Sequence, residues 1–251
     1  MDTPGSLAGR VVLVTGGAQR VGAEIVRTLH AAGARVAIHY NRSAAQAEAL
    51  AAHLNAARAA SALTLCADLL EVARLHELVE STTRAFGRLD VLVNNASTFY
   101  PTPLGEITEA HWNDLLGSNL KAPLFLSQAA ASALRLSRGL ILNIVDIHGM
   151  RPLRRYPVYG IAKAGLIMLT KSLARELGPH VRVNAIAPGP VMWPADGAAD
   201  TELQKKIVER TLLKRTGSAQ DIARTALFFA ADAPYVTGQV LAVDGGRSVG
   251  W

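Results

Sequence analysis

Short apolar runs rich in β-branched residues alternate along the chain with longer stretches whose apolar positions recur at helical spacing. The short runs are Val11–Val14, Arg35–Tyr40, Ala62–Cys66, Val91–Val93, Leu140–Val145, Arg182–Ile186 and Gln239–Val243. Between them lie Ala23–Ala32, Ala44–Arg58, Val72–Phe86, Ala122–Leu136, Tyr159–Leu177 and Ala219–Ala230, rich in Ala, Leu and Glu. Runs that stay apolar at consecutive positions suit strands buried on both faces, and a helix between successive strands is the usual crossover of a parallel pair. The pattern predicts an α/β fold: a parallel sheet covered by helices on both faces, with right-handed crossovers. No linker, repeat or low-complexity segment interrupts it, so residues 1–251 are expected to form a single domain. The one long irregular stretch, Pro188–Asp200, follows a strand's carboxyl end, where such sheets bind ligands. It is expected to open a substrate lid over about residues 188–215.

Composition narrows this picture. Half of the 251 residues are hydrophobic, enough for one large core. Cys66 is the single cysteine, so no disulfide can form within the chain and a reducing compartment is the default. Neither a signal-peptide pattern nor an apolar stretch of membrane-spanning length occurs, and the chain reads as cytoplasmic. The net charge is +6, but the cations are scattered and aromatics make up only 5%, which argues against nucleic acid as a partner. A solvated basic surface accounts for the charge, as does attraction of an anionic cofactor and substrate. No set of His, Cys and carboxylates has metal-ligand spacing, so no metal is expected.

The first strand runs into Thr15-Gly16-Gly17-Ala18-Gln19-Arg20-Val21-Gly22 and then into a helical pattern. Glycines at such a turn let the backbone approach a pyrophosphate, and the helix start offers unpaired N–H groups and a positive dipole end. A tight turn without a ligand would use glycine too; the place of this one, directly after the first strand, favours a dinucleotide. Arg20 stands where such turns often have another glycine. A guanidinium there is disfavoured by the dipole unless an anion offsets it, so a phosphate or substrate contact is preferred to a solvated side chain. The second strand ends in His39-Tyr40-Asn41-Arg42-Ser43, with no acidic residue to bind a ribose 2′-hydroxyl. Arg42 with Ser43 at a helix start suits a 2′-phosphate instead, which points to NADP. Asp68 could accept from an adenine amino group or cap a helix over Leu70–Phe86, and the two roles are compatible.

Farther along comes Tyr159-x-x-x-Lys163, with Asp146 thirteen positions before the tyrosine. A Tyr and a Lys four apart share a helical face, and an ammonium beside a phenol favours proton loss. An enzyme that gives hydride to a ketone usually pairs such a Tyr with a neutral hydroxyl. A carboxyl in that place can carry or relay a proton, which a basic ring nitrogen needs and a carbonyl does not. A structural carboxylate satisfying loop amides is the competing account of Asp146; the Tyr159 spacing favours the catalytic one. Phe99 could be a core aromatic, but Ser97 and the polar, proline-containing Tyr100–Pro103 favour an exposed mouth. Arg151, Arg154 and Arg155 could meet a substrate carboxylate or an anion on a neighbouring subunit, or simply be solvated.

Together these residues resemble the short-chain dehydrogenase/reductase family over essentially the whole chain. The matching elements are Thr15-Gly16 with Gly22, Asp68, Asn94-Asn95-Ala96, Asn119, Tyr159-x-x-x-Lys163, Pro188-Gly189 and Asp244-Gly245-Gly246. The resemblance implies a Rossmann-like, doubly wound sheet of seven parallel strands and hydride transfer from a nicotinamide. It makes Tyr159 the acid, has Lys163 bind the nicotinamide ribose and depress the Tyr159 pKa, and has Asn119 hold a water in a proton relay. Family members generally have Gly at position 20 and Ser at position 146. With Arg20 and Asp146 in their place, Asn95-Ala96-Ser97-Thr98-Phe99-Tyr100-Pro101-Thr102-Pro103-Leu104 completes a pattern similar to the pteridine reductases. There the pterin lies between the nicotinamide and an aromatic ring, here Phe99. By the same resemblance the cofactor would touch Gly16, Arg20, Val21, Tyr40, Asn41, Arg42, Ser43, Asp68 and Leu69 at one end. At the other it would touch Asn95, Ala96, Ser97, Tyr159, Lys163, Pro188, Gly189 and Val191. The substrate would meet Arg20, Ser97, Phe99, Asp146, Tyr159 and Trp193. Helices Trp112–Leu136 and Tyr159–Leu177 resemble those that family members pair across subunits, and the C-terminal Val240–Trp251 resembles segments that reach a neighbour's site, which implies a homotetramer.

The expected activity is NADPH-dependent reduction of dihydropterins, extending to dihydrofolate, folate or biopterin. A reductase of ketoacyl or sugar-like ketones is the alternative, and a nucleotide-binding sensor without turnover is a third, disfavoured by the presence of Tyr159, Lys163 and Asn119 together. Arg42→Ala should weaken NADPH binding much more than NADH binding, because it removes a 2′-phosphate partner; titrating both nucleotides reads this directly, and an unchanged ratio of the two affinities refutes the assignment.

Overall fold

The computed structural model describes residues 6–191 and 201–250. Its centre is one parallel sheet of β1 (Val11–Val14), β2 (Arg35–Tyr40), β3 (Ala62–Cys66), β4 (Val91–Asn94), β5 (Leu140–Ile144), β6 (Arg182–Pro188) and β7 (Val240–Val243). The spatial order is β3-β2-β1-β4-β5-β6-β7. The chain steps outward from β1 to β3, then returns to place β4 on the other side of β1. That reversal opens a crevice beyond the carboxyl ends of β1 and β4, the place where open α/β sheets bind ligands.

The helices are α1 (Arg20–Ala31), α2 (Ala44–Ala57), α3 (Val72–Phe86), α4 (Glu109–Leu116), α5 (Ala122–Ser137), α6 (Pro157–Leu177), α7 (Thr201–Glu209) and α8 (Ala219–Ala231). One face of the sheet (Val12, Val14, Val36, Ile38) packs on Ile25, Val26 and Leu29 of α1 and on Ile222 and Phe229 of α8. The other face (Val11, Leu13, Leu92, Ile141) packs on Leu75 and Leu78 of α3 and on Leu126 and Leu134 of α5. Each fully buried Leu, Ile or Val contributes about 1.5–3 kcal/mol relative to an exposed one, so both faces hold the sheet strongly. The strands appear where the apolar runs place them, with small shifts at their ends. At the amino ends of the strands, fully buried Asp90 accepts from Nε and Nη2 of Arg88 at 2.8 and 2.6 Å and from the Val11 N–H at 2.9 Å. It clamps β1 to β4 away from the crevice.

Three local findings bear on the site. The stretch expected to be one helix over Trp112–Leu136 begins earlier, at Glu109, where Thr108 and His111 form a capping box. It also widens into a π turn over Gly117–Lys121 before continuing as α5. Second, α6 opens with Pro157, whose fixed φ and missing N–H suit a first helical position, so Tyr159 sits in the first turn. Third, the expected lid is described only in part. Residues 188–191 leave β6 and return against the core, where Gly217 donates its N–H to the Pro190 carbonyl at 3.0 Å, and Thr201–Glu209 is helical. Residues 192–200, and Trp193 with them, lie outside the described residues.

Candidate active site

The glycine turn after β1 is held by side chains rather than by space alone. The Thr15 hydroxyl accepts the N–H groups of Asn95 and Ala96 at 2.9 and 3.0 Å, and Asn95 Nδ2 donates to the carbonyls of Thr15 and Gly16 at 2.8 and 3.1 Å. Gly16 takes φ +59, and a Cβ there would lie 3.1 Å from Ala96 Cα. At Gly22 a Cβ would lie 2.1 Å from the Gly16 carbonyl oxygen, so no other residue fits without moving the turn. Arg20 opens α1 at φ +52, a left-handed conformation that costs a non-glycine residue about 1 kcal/mol, and its side chain is exposed at the crevice end of the helix.

The helix starts differ in a way that suits an anion. Neither α1 nor α2 has a side-chain cap or an acidic residue in its first turn. By contrast, α4 and α8 both begin with complete capping boxes. The starts of α3, α5 and α6 lack a side-chain cap as well, but those at Arg20–Val21 and at Ser43 follow the carboxyl ends of β1 and β2, beside half-buried Tyr40 and exposed Asn41 and Arg42. Their N–H groups and positive dipole ends remain open to phosphate. Asp68 does not cap α3 as expected: that helix starts at Val72 with Glu71 as its N-cap. Asp68 Oδ1 accepts the Leu70 N–H at 2.9 Å in its own turn, with Leu69 buried beside it. Gly189 packs against Asp244, whose Cα would be 2.7 Å from an added Cβ, and its N–H donates to the Val243 carbonyl. Pro188 and Val191, either side of it, are half-buried.

At the carboxyl end of β5 the Asp146 side chain joins two elements. Its Oδ1 accepts the His148 N–H at 2.7 Å, and its Oδ2 accepts the Tyr159 hydroxyl at 2.8 Å. Tyr159 is 4% exposed and Lys163 2% exposed. Lys163 Nζ donates to the Ile144 carbonyl at 3.0 Å and lies 5.6 Å from the Tyr159 ring centre. The expectation that Lys163 depresses the Tyr159 pKa does not hold. Burial and the neighbouring Asp146 push the phenol well above its ordinary 10.0. The strain of burial falls on Lys163 as well, and lowers it from 10.5 to about 8 against the pull of Asp146. The proton therefore sits on the phenol, directed at a carboxylate, with a readily deprotonated ammonium behind it.

The segment after β4 carries Ser97 and Phe99, expected to meet the substrate. Ser97 Oγ donates to Asn119 Oδ1 at 2.6 Å, and Asn119 Nδ2 donates to the carbonyls of Thr98 and Leu115, both at 3.0 Å. Asn119 is fully buried in the π turn, and its amide is committed to these partners, so its side chain braces that segment. A water relay there would have to use its backbone carbonyl. Phe99 is 51% exposed, as its polar flanks predict. One of its faces stacks on Tyr156 at 4.6 Å and 11°, and it meets Tyr159 edge-on at 4.8 Å. Tyr156 was not among the sequence candidates. Its spacing of three from Tyr159 was the available signal, since such residues share a helical side. His39 was also passed over: its ring bonds the Gly16 N–H and the Ala67 carbonyl, each at 3.1 Å. Among the described residues, no group of His, Cys, Asp and Glu could hold a metal, and no helix is long and apolar enough to cross a membrane.

A family model described as enoyl-(acyl carrier protein) reductase matches residues 16–248, and the chain belongs to the short-chain dehydrogenase/reductase family of oxidoreductases. Within that class, it is 38% identical to pteridine reductase 1 of Leishmania tarentolae, over 95% of this chain and 96% of that one. It is 36% identical to L-xylulose reductase of Bos taurus, over 96% and 97%. A blue fluorescent protein from a metagenomic library, crystallised in complex with NADPH, matches with a TM-score of 0.90 at 36% identity, over 96% of this chain and 99% of that one.

The lowered Lys163 pKa is testable through stability. Unfolded, the lysine keeps its proton up to about 10.5; folded, it releases it from about 8. The folded state binds fewer protons in that window, so this group's contribution to stability rises with pH there, by at most about 1.4 kcal/mol per unit. The burial cost is fully present below about 8. Lys163→Met lacks it, so the variant's advantage in Tm over the wild type should be largest at pH 7 and shrink by pH 9, below the range in which Tyr159 titrates in either state. A constant difference across that range refutes the buried ammonium.

Proposed function

We propose that the protein is an NADPH-dependent reductase of dihydropterins, with dihydrofolate as a related substrate. The observation that carries this reading is the 2.8 Å hydrogen bond from the Tyr159 hydroxyl to Asp146 Oδ2. A ketone needs its oxygen met by a neutral donor, and a carboxylate facing that oxygen would repel the charge that develops on it. A ring C=N needs a proton delivered to nitrogen, and a phenol–carboxylate pair can hold and pass one.

The residues fit the cofactor. The glycine turn, with room for no Cβ at Gly22, lets backbone approach a pyrophosphate; the uncapped starts of α1 and α2 accept phosphate; Arg42 and the Ser43 hydroxyl, which makes no cap bond, suit a 2′-phosphate. The NADPH in complex with which the metagenomic blue fluorescent protein was crystallised supports the same cofactor. When bound, NADPH supplies the hydride. Phe99 offers a half-exposed ring against which a planar bicycle stacks, either on its open side or by displacing Tyr156. Tyr159 and Asp146 hold one transferable proton, which passes to the ring nitrogen as the neighbouring carbon takes the hydride. Lys163, whose ammonium gives up its proton from about 8, then restores it. Ser97, held by Asn119, supplies a polar edge to the same pocket.

A second reading, reduction of a sugar-like ketone, is favoured by the 36% identity to L-xylulose reductase, close to the 38% for pteridine reductase 1. In that case Asp146 merely replaces a neutral donor. We also propose that the protein assembles as a homotetramer. Leu70, Trp112, Leu116, Leu120 and Leu124 line an open groove of about 820 Å³ along α4 and α5, and Ile161 and Met168 leave apolar surface exposed on α6.

Two measurements test these readings. Native mass in solution should be about four times the 26.6 kDa chain, and a monomer refutes the assembly. Steady-state rates with NADPH should be substantial for dihydrobiopterin and low for L-xylulose and ketoacyl substrates. In Asp146→Ser, kcat/KM for the pterin should fall roughly 10²–10⁴-fold, the usual worth of a positioned acid–base group, while NADPH affinity stays within about twofold. Robust ketone reduction without pterin turnover would sink the proposal.

A further inference from the structure

His39 is 1% exposed, at the carboxyl end of β2, and it touches both halves of the crevice that the cofactor reading uses. Its backbone carbonyl accepts the Gly17 N–H at 2.9 Å, and its ring Nδ1 lies 3.1 Å from the Gly16 nitrogen. One residue thus engages two successive N–H groups of the phosphate-facing turn. On the other side, Nε2 lies 3.1 Å from the Ala67 carbonyl, immediately before Asp68. A backbone N–H can only donate and a carbonyl can only accept, so the ring must be neutral and carry its hydrogen on Nε2. Protonation would put a second N–H on Nδ1, facing the Gly16 N–H, and break that bond.

We infer that His39 is a positioning residue of the cofactor site: its neutral ring ties the turn at Gly16 to the loop at Ala67–Asp68, and the dinucleotide binds tightly only while that tie is intact. The inference rests on the NADPH reading above and on no particular substrate. Without the bond, Gly16 would be free to leave φ +59, and the N–H groups that follow it would lose the direction a pyrophosphate needs. The groups around the ring favour the neutral state. The β1 turn meets it with Gly16 and Gly17, β3 with Leu65, and the loop after β3 with Ala67, none of them titratable. Asp68 pulls the His39 pKa upward, as does the Ala67 hydrogen bond, but burial outweighs both and holds it below the ordinary 6.5. The tie is therefore complete at neutral pH and is lost on acidification.

Two substitutions, one to an amide and one to a phenyl ring, test the bonds. Asn places an oxygen near the Nδ1 position and can accept from Gly16 but does not titrate, whereas Phe keeps the ring and removes both nitrogens. NADP⁺, the acid-stable form, is titrated calorimetrically into wild type, His39→Asn and His39→Phe from pH 5 to 8. At neutral pH His39→Phe should bind about tenfold more weakly, the usual scale of one buried hydrogen bond lost with its donor left unpaired, while His39→Asn stays within about threefold. Below 6.5 the wild type should lose affinity more steeply than His39→Asn, in which this ring no longer titrates while the nucleotide's phosphate and the other groups do as before. Equal affinity of wild type and His39→Phe overturns the inference, as does an identical pH profile for wild type and His39→Asn. Should His39→Phe not fold, the comparison of those two profiles decides alone. Absence of NADP⁺ binding by the wild type at neutral pH would instead remove the cofactor reading and this inference with it.

Discussion

The contact on which the rest of the molecule depends is the near-collision of Gly22 with the Gly16 carbonyl and the Asn95 amide. An added Cβ would meet them at 2.1 and 2.6 Å, so α1 leaves β1 as closely as a polypeptide can. Thr15 then gathers the Asn95 and Ala96 N–H groups, and the end of β4 is drawn against the same turn. Ser97, Thr98 and Phe99 follow without a break, so the distance between the phosphate end and the aromatic wall is set by this packing. Asn119 reaches across from the π turn to hold Thr98, and Phe99 leans on Tyr156 and Tyr159. A shift at Gly22 would propagate through these hydrogen bonds and ring contacts to Ser97, Phe99 and Tyr159.

Much of this could be read from the chain because the strands are short and apolar at consecutive positions, which leaves little choice of element. Val11–Val14, Arg35–Tyr40 and Ala62–Cys66 agree to the residue. The spacing of Asp146, Tyr159 and Lys163 also foretold which side chains meet. It did not foretell the electrostatics, because Tyr159 answers to the carboxylate it bonds, while the lysine's ammonium turns toward the Ile144 carbonyl. The π turn was hidden because Gly117-Ser118-Asn119-Leu120-Lys121 has nothing in its composition to separate it from ordinary helix. The Phe99–Tyr156 stack depends on the path of two loops, which no periodicity describes. A cap by Asp68 required a helix running from Leu70, whereas α3 follows the apolar periodicity and begins at Val72.

The crevice divides its labour by polarity. At the phosphate end, helix starts without side-chain caps and the cations Arg20 and Arg42 present positive potential, which suits a ligand that brings its own charge. At the β5 end, each charge is already answered: Asp146 by a phenol and an amide, Lys163 by a carbonyl. The first arrangement favours capture, the second favours moving a proton over a short path without admitting a counter-ion.

The π turn has a consequence for how this architecture can change. A turn with one surplus residue acts as a phase shift, rotating everything after it by about 100° relative to an uninterrupted helix. It lets Asn119 point inward while Trp112 and Leu124, before and after it, both face the outer groove. Deleting a single residue there would restore a regular helix and throw one surface or the other out of phase. The inner wall and the outer groove are therefore inherited together, and neither can drift in register without the other.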